Sequence, residues 1–292
     1  MKLPLILGTG LSGLVGSRIT ELLRDDFSFE DLSFDIGVDI TNRGQIAERI
    51  AKSPATHILH LAAKADVDGC ELDKAKGQDG VAWKVNVKGT ENVVTAAHAS
   101  GKQVIYISTD FVFDGSQESY SEDDMPSPVN WYGLTKREGE KITLTYPENC
   151  VMRLSYPYAA KNTVKRDFLH AVAGKLAASQ PVQVLTDHFF TPTFIDDIAA
   201  AIEAMVQTNA SGVYHVVGSE SLTPFAAAEK IAHTFSYSPQ LIQPTTIAEY
   251  FSGRANRPYK LQLKNAKISS LRVNMHAFST GLELIKQQGF LL

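Results

Sequence analysis

Three observations predict an α/β fold built on a doubly wound parallel sheet. Glycines at 8, 10, 13 and 16 follow an apolar run at residues 3–7 and lead into helical spacing at Leu14, Ile19, Leu22 and Leu23. Short apolar runs at 57–63, 103–108 and 150–154 then alternate with amphipathic stretches, the pattern of strands buried on both faces. No internal repeat or low-complexity tract breaks this alternation, and no clean linker divides the chain of 292 residues. The expected layout is a sheet domain over residues 1–154 with returning segments at about 192–217. A smaller C-terminal α/β region over 155–191 and 218–292 completes it.

The first element reads as strand, tight turn, helix. Glycine lets such a turn bend without a Cβ, lets the backbone approach a pyrophosphate, and lets the helix pack closely on its strand. This is the Rossmann-type arrangement, and it makes Gly8, Gly10 and Gly13, with Leu11 and Ser12 between them, the candidate cofactor cradle. Pro4 belongs near the beginning of the strand, since proline donates nothing to a ladder. A second apolar run at 32–34 ends in Asp35. A carboxylate at the tip of the second strand accepts from ribose hydroxyls and repels a 2′-phosphate, which favours NAD over NADP. The spacing from Gly10 exceeds the usual ~20 residues, so Asp39, next to Ile40, stands as a rival to Asp35.

Composition narrows the function. Hydrophobic content of 44% and charged content of 21% are those of an ordinary globular protein, and a net charge of −4 gives no reason to expect nucleic acid or an anionic membrane surface. The apolar part of the N-terminus stops at Gly8, too early for a secretory signal, and no run is long enough to span a membrane. Cys70 and Cys150 stand alone and far apart, as reduced thiols of a cytoplasmic protein would.

The remaining elements follow in order. Asp39 to Asn42 reads as a turn and helix cap before a helix carrying Ile46, Ala47 and Ile50. In the third strand, His57 and His60 lie three apart and face opposite sides, so no shared metal ion is expected. Leu61, Ala62 and Ala63 end that strand, where small residues let a cofactor pass close to the backbone. A polar loop over 64–80 leads to a long helix over 81–100, stopped by Gly101. Asn86 is disfavoured inside a helix, which implies a task for its side chain. The fourth strand delivers Ser108, Thr109 and Asp110 at its C-terminal end, where parallel sheets bind ligands. Further helices are expected over 165–178, 196–207 and 224–235, with strands at 150–154, 182–185 and 212–217.

Tyr132 and Lys136 open the helix after the fourth strand, one turn apart and therefore on one face. A phenol of ordinary pKa about 10 is a poor acid–base group at neutral pH, and a neighbouring cation stabilises its phenolate. Thr109 can then hold a substrate oxygen and share the proton path. Downstream of a dinucleotide motif and a hydroxyl-bearing strand end, this pair points to hydride chemistry rather than to a solvated helix face.

Together these features resemble the extended short-chain dehydrogenase/reductase superfamily. Ser-Thr-Asp-Phe-Val-Phe-Asp-Gly at 108–115, Asn-Trp-Tyr-Gly-Leu-Thr-Lys at 130–136, Arg-Leu-Ser-Tyr-Pro-Tyr at 153–158, Pro192-Thr193 and Gly-Val-Tyr-His at 212–215 resemble the dTDP-4-dehydrorhamnose reductase family over nearly the whole chain. The resemblance implies a catalytic triad of Thr109, Tyr132 and Lys136, with Tyr132 protonating a sugar ketone and Lys136 binding the nicotinamide ribose. It implies a cofactor, NAD or NADP, passing Leu61, Ala62, Ala63, Asn86 and Ser108, with Ser155 and Tyr156 near its reactive ring. It places a nucleotide sugar against Phe111, Tyr156 and Arg257, and a homodimer is compatible with it.

The chain differs from the superfamily's dehydratases in one place and from the reductase pattern in two. Phe111 follows Asp110 where sugar-nucleotide dehydratases have glutamate, which argues against dehydration. Asp187-His188-Phe189-Phe190-Thr191-Pro192-Thr193 replaces the usual Asp-Gln-x-Gly-x-Pro-Thr, which makes His188 a candidate pocket residue. Leu263-Lys264 replaces Leu-Asp. Two other activities use the same residues: an epimerase holding NAD, and a regulatory protein like the β subunit of methionine adenosyltransferase, which resembles the same family.

Overall fold

The structure, a computed structural model, describes residues 3–161, 166–290 and 292. Its centre is a six-stranded, all-parallel sheet of order β2-β1-β3-β4-β5-β9, formed by β1 (Leu5–Thr9), β2 (Ser28–Asp31), β3 (His57–His60), β4 (Gln103–Thr109), β5 (Cys150–Leu154) and a late-returning β9 (Gly212–His215). Strand order reverses between β1 and β3, and a crevice opens at the C-terminal ends of the strands there.

Alternation along each strand builds two cores. Ile6, Leu59, Ile105 and Met152 face one side, where α1 (Leu14–Leu22) and α7 (Ile195–Thr208) cover them with Ile19, Ile198, Ile202 and Met205. Their neighbours Leu7, Ile58, Val104 and Val151 face the other, under Ile46 and Ile50 of α2 (Arg43–Lys52) and Val93 and Ala97 of α4 (Thr90–Ala99). A parallel sheet covered on both faces needs such continuous apolar strands.

The expected helix over 81–100 is one helical run with a π-helical middle, Lys84–Gly89, between a turn at Val81–Trp83 and α4. The polar loop over 64–80 is not irregular, since it holds α3 (Val67–Asp73) and a 3-10 stretch, Lys74–Asp79. α5 (Trp131–Thr143) follows β4, and its first turn is capped by Asn130, whose side-chain oxygen accepts from the Gly133 amide at 2.8 Å.

Beyond β5 the chain builds a third core. β6 (Pro157–Tyr158) pairs with β8 (Thr193–Phe194), and β7 (Val182–Leu185) pairs with β10 (Ile242–Thr245). α6 (Phe168–Ala177), α8 (Pro224–Phe235) and α9 (Phe278–Gln287) pack Leu169, Val172, Ile231, Leu282 and Ile285 against them. Lys165, expected to begin α6, lies outside the described residues.

Candidate active site

At the end of β1, Gly10 turns the chain with φ +70°, and a Cβ there would stand 2.8 Å from the Ala62 nitrogen. The turn thus lies directly on the end of β3. Gly8 abuts the buried Leu11 side chain, and the Leu11 amide donates to the Ser33 hydroxyl at 2.9 Å. Ser12 sits partly buried in the turn. α1 starts with no side-chain cap and no acidic residue in its first turn, so its free amides and positive dipole end are available to an anion. They open on a cavity of about 760 Å³ that Gly10, Gly13, Leu61 and Ala63 help to line.

The second strand corrects the sequence reading. β2 ends at Asp31, level with Gly8, and Asp35 lies on an exposed 3-10 turn, Phe34–Ile36, closed by Gly37 at φ +81°. The turn signal of Gly37 outweighs the short apolar run, and Phe34 points outward. Asp31 therefore holds the strand tip, at the usual ~20-residue spacing from Gly10, and its Oδ1 accepts from the Ser33 amide at 2.8 Å. The rival, Asp39, is occupied in a turn, accepting from the amide and hydroxyl of Thr41 at 2.8 Å each. Ile40 is buried against Gly89.

A line of hydrogen bonds joins the cradle to α5. The Ala62 amide donates to Thr9 Oγ1 at 3.2 Å, and Thr9 donates to His60 Nδ1, 2.6 Å away, because the neutral ring carries its one proton on Nε2, where Thr90 can only accept. His60 Nε2–H then donates to Thr90 Oγ1 at 3.0 Å, and Thr90 donates to the Asn86 carbonyl at 2.7 Å. Burial holds His60 neutral, pushed down to about 3, with Lys136 nearby adding to the effect. The Asn86 side chain has the task its position implied: it accepts from the Lys64 amide at 2.8 Å and donates to the Lys64 carbonyl at 3.0 Å and to Thr135 Oγ1 at 2.9 Å. Thr135 donates in turn to the Tyr132 carbonyl at 2.8 Å. Asn86→Ala would leave buried groups without partners, and a loss of about 1–3 kcal/mol in urea unfolding is expected.

Tyr132 and Lys136 both line the cavity, with Ser108, Thr109 and Phe111 opposite. Lys136 is buried, donates to the Ile107 carbonyl at 2.6 Å, and lies 4.0 Å over the Tyr106 ring. Burial pushes its ammonium down to about 7, and Glu140 opposes that shift. Contrary to the expectation that the nearby cation brings it down, burial pushes the Tyr132 phenol well above its ordinary range, and it is the Thr109 hydroxyl, not Lys136, that pulls the other way. Thr109 donates to Asp110 Oδ1 at 3.0 Å, and Ser155 donates to Asp110 Oδ2 at 2.7 Å. Burial raises the Asp110 carboxyl to about 6 despite these two hydroxyls. Ser155 is thereby committed to Asp110 and lies behind the cavity wall.

The far wall comes from the third core. Tyr156 lines it in a left-handed conformation, φ +41°, a strained state for a side chain of this size. Its ring packs 4.6 Å from Phe190, which stands where the family pattern has glycine. His188 sits behind Tyr156 rather than in the cavity, donating from Nδ1 to the Pro258 carbonyl at 2.9 Å, and burial holds it neutral at about 4. Arg257 lines the cavity, held by Asp68 at 2.9 Å and lying 4.4 Å from the Phe251 ring centroid. Asp68, which also pairs with Arg254, and Phe251 carry no signal in the sequence, because the segments that meet here are remote along the chain.

The fit to a nicotinamide dinucleotide rests on two features: the uncapped start of α1, and the Ser108 hydroxyl, buried at the cavity without a partner among the described residues. No group of acidic, histidine or cysteine side chains among the described residues can hold a metal ion, and no helix there is long and apolar enough to cross a membrane.

Comparison with known proteins finds relatives both in sequence and in fold. The chain is 30% identical over 280 residues to the dTDP-4-dehydrorhamnose reductase of Aggregatibacter actinomycetemcomitans, covering 90% of this chain and 91% of that one. It is 31% identical over 238 residues to methionine adenosyltransferase 2 subunit beta of Mus musculus, covering 77% of this chain and 68% of that protein. The structure of dTDP-4-dehydrorhamnose reductase from Bacillus anthracis, solved in complex with NADP, superposes with a TM-score of 0.89 at 26% identity, over 99% of this chain and 100% of that one. The model of the RmlD substrate binding domain matches residues 3–289, and the chain belongs to that family.

Proposed function

We propose that the protein reduces a keto group on a sugar nucleotide, taking hydride from a nicotinamide cofactor and a proton from Tyr132. The observation that carries this reading is the convergence of Tyr132, Lys136 and Thr109 on one cavity with the uncapped start of α1. A nicotinamide dinucleotide bound there supplies the hydride. The chain's residues supply the rest. Gly10, Gly13 and the first amides of α1 hold the pyrophosphate. Ser108 and Lys136 face the nicotinamide side, and Leu61 and Ala63 close the floor. Thr109, turning its hydroxyl from Asp110 Oδ1, orients the ketone oxygen toward the Tyr132 phenol. Lys136, one turn further along the same face of α5, stabilises the phenolate left after proton transfer. Arg257 and Tyr156 receive the nucleotide end of the substrate.

NADH is the preferred cofactor in this reading. Asp31 ends β2, and no lysine or arginine occurs from Asp31 to Asn42 to meet a 2′-phosphate. Asp31→Ser should raise kcat/KM for NADPH relative to NADH by about tenfold or more, one such step being ~1.4 kcal/mol.

The test is oxidation of NADH and NADPH, followed at the nicotinamide absorbance band, with and without a dTDP-4-keto-6-deoxy sugar. Substrate-dependent oxidation supports the reductase, and net consumption separates it from an epimerase. Tight cofactor binding with no consumption on any keto-sugar nucleotide would overturn it in favour of a regulatory protein.

A further inference from the structure

Tyr132, Lys136 and Glu140 recur every fourth residue along α5 and so share one face of it. Glu140 is buried and bound at both oxygens by Arg153 of β5, Nε to Oε1 at 2.9 Å and Nη2 to Oε2 at 2.8 Å. The remaining guanidinium nitrogen, Nη1, lies 3.3 Å from His215 Nε2. His215 Nδ1 is 3.0 Å from the Lys264 carbonyl, which can only accept, so Nδ1 carries the proton and Nε2 offers Arg153 a lone pair. Burial holds His215 neutral, at about 3. The Phe113 ring covers the guanidinium at 4.9 Å.

A buried ion pair roughly breaks even against well-packed apolar side chains, so stability alone gives little reason for this one. Its position suggests another use. The groups facing Lys136 and its phenol are Tyr106 on β4, His60 on β3, Asp110 and Cys70 around Tyr132, and Glu140 with Arg153 behind it. His60 is neutral, and Asp110 and Cys70 act on Tyr132. Glu140 is the charged side chain, among the described residues, whose field favours the Lys136 ammonium.

We propose that Glu140 and Arg153 are positioning residues that set the charge on Lys136: the carboxylate favours the ammonium, and the guanidinium clamped on it restrains that influence. The pair thereby fixes the pH range over which the Tyr132–Lys136 pair works. This inference rests on the reading of Tyr132 and Lys136 as an acid–base pair.

The two partners of one ion pair then have opposite effects, which a mere clamp between helix and strand cannot produce. The experiment follows Lys136 by NMR in full-length protein labelled at lysine Cε, its signal assigned by its loss in Lys136→Met. The titration midpoint should fall by about one pH unit in Glu140→Gln and rise by a similar amount in Arg153→Met. Arg153→Lys, which keeps the charge, should stay near the parent. The alkaline limb of kcat/KM for NADH-dependent reduction should move with each midpoint.

Unchanged midpoints, or shifts of the same sign in Glu140→Gln and Arg153→Met, would overturn the proposal. If Arg153→Met does not fold, an unmoved midpoint in Glu140→Gln, or one displaced in Arg153→Lys, does the same. The NMR titration needs neither substrate nor cofactor, so its outcome is independent of whether the reductase assay succeeds.

Discussion

Tyr132→Phe is expected to lower kcat/KM for ketone reduction by about 10²- to 10⁴-fold, the usual contribution of a positioned acid. The substitution removes one oxygen and keeps the ring that packs edge-on to Phe111 at 5.9 Å. The first turn of α5 does not depend on that oxygen. It is fixed by the Asn130 cap and by the Trp131 amide, which donates to Glu71 Oε2 at 2.7 Å. Stability and cofactor affinity should therefore stay near the parent values. Burial keeps the phenol protonated at neutral pH, which suits it to donate toward the alkoxide formed when hydride arrives. In the proposed reaction Lys136, one turn further along the same face of α5, stabilises the phenolate until a proton returns. Steady-state kinetics with NADH, together with NADH fluorescence titration, make the measurement. An unchanged rate would assign the proton to another group.

Gly133→Ala should have the largest structural effect near the site. A Cβ at Gly133 would stand 2.1 Å from the Phe111 carbonyl oxygen and 2.9 Å from the Pro128 side chain. The nearest obstacle is backbone and cannot rotate away, so either α5 or the Thr109–Phe111 turn must shift. Overpacking of this kind costs about 1–3 kcal/mol, or roughly 2–5 °C in Tm for a chain of this size. Moving α5 against that turn also separates Tyr132 from Thr109, so turnover should fall even where the variant remains folded. Gly44→Ala makes the control, since its nearest contact would be 3.7 Å away, and it should leave both melting and turnover unchanged.

The sheet was legible because each central strand is buried on both faces and leaves a short unbroken apolar run. Asn86 was legible for a different reason. An amide inside a helix violates propensity, and here the violation marks a side chain that ties Lys64 to Thr135. Asp35 misled because β2 is an edge strand, partly buried throughout, whose sequence Ser-Phe-Glu-Asp carries no apolar run. The nearby Leu32-Ser33-Phe34 looked more strand-like, yet it enters a turn. Arg257 was reachable through family resemblance, but its anchor Asp68 was not, because that contact forms only when the chain after β10 folds back over α3. His188 is expected in the cavity wall but lies one layer deeper, because its burial behind Tyr156 depends on packing among residues far apart in sequence.

The line of hydrogen bonds from Ala62 to Asn86, continued by the Asn86 amide through Thr135 to Tyr132, runs with every proton pointing the same way. Its members come from β1, β3, the π-helical segment, α4 and α5, so the glycine turn and the tyrosine–lysine helix are not interchangeable parts. A chimera that imports only the glycine turn, or only the helix, inherits half of a directional circuit, and wherever two donors meet at the junction the recipient must break one buried bond. Successful exchange would have to carry Thr9, His60, Asn86, Thr90 and Thr135 as a single heritable unit, although no two of them are neighbours in the chain.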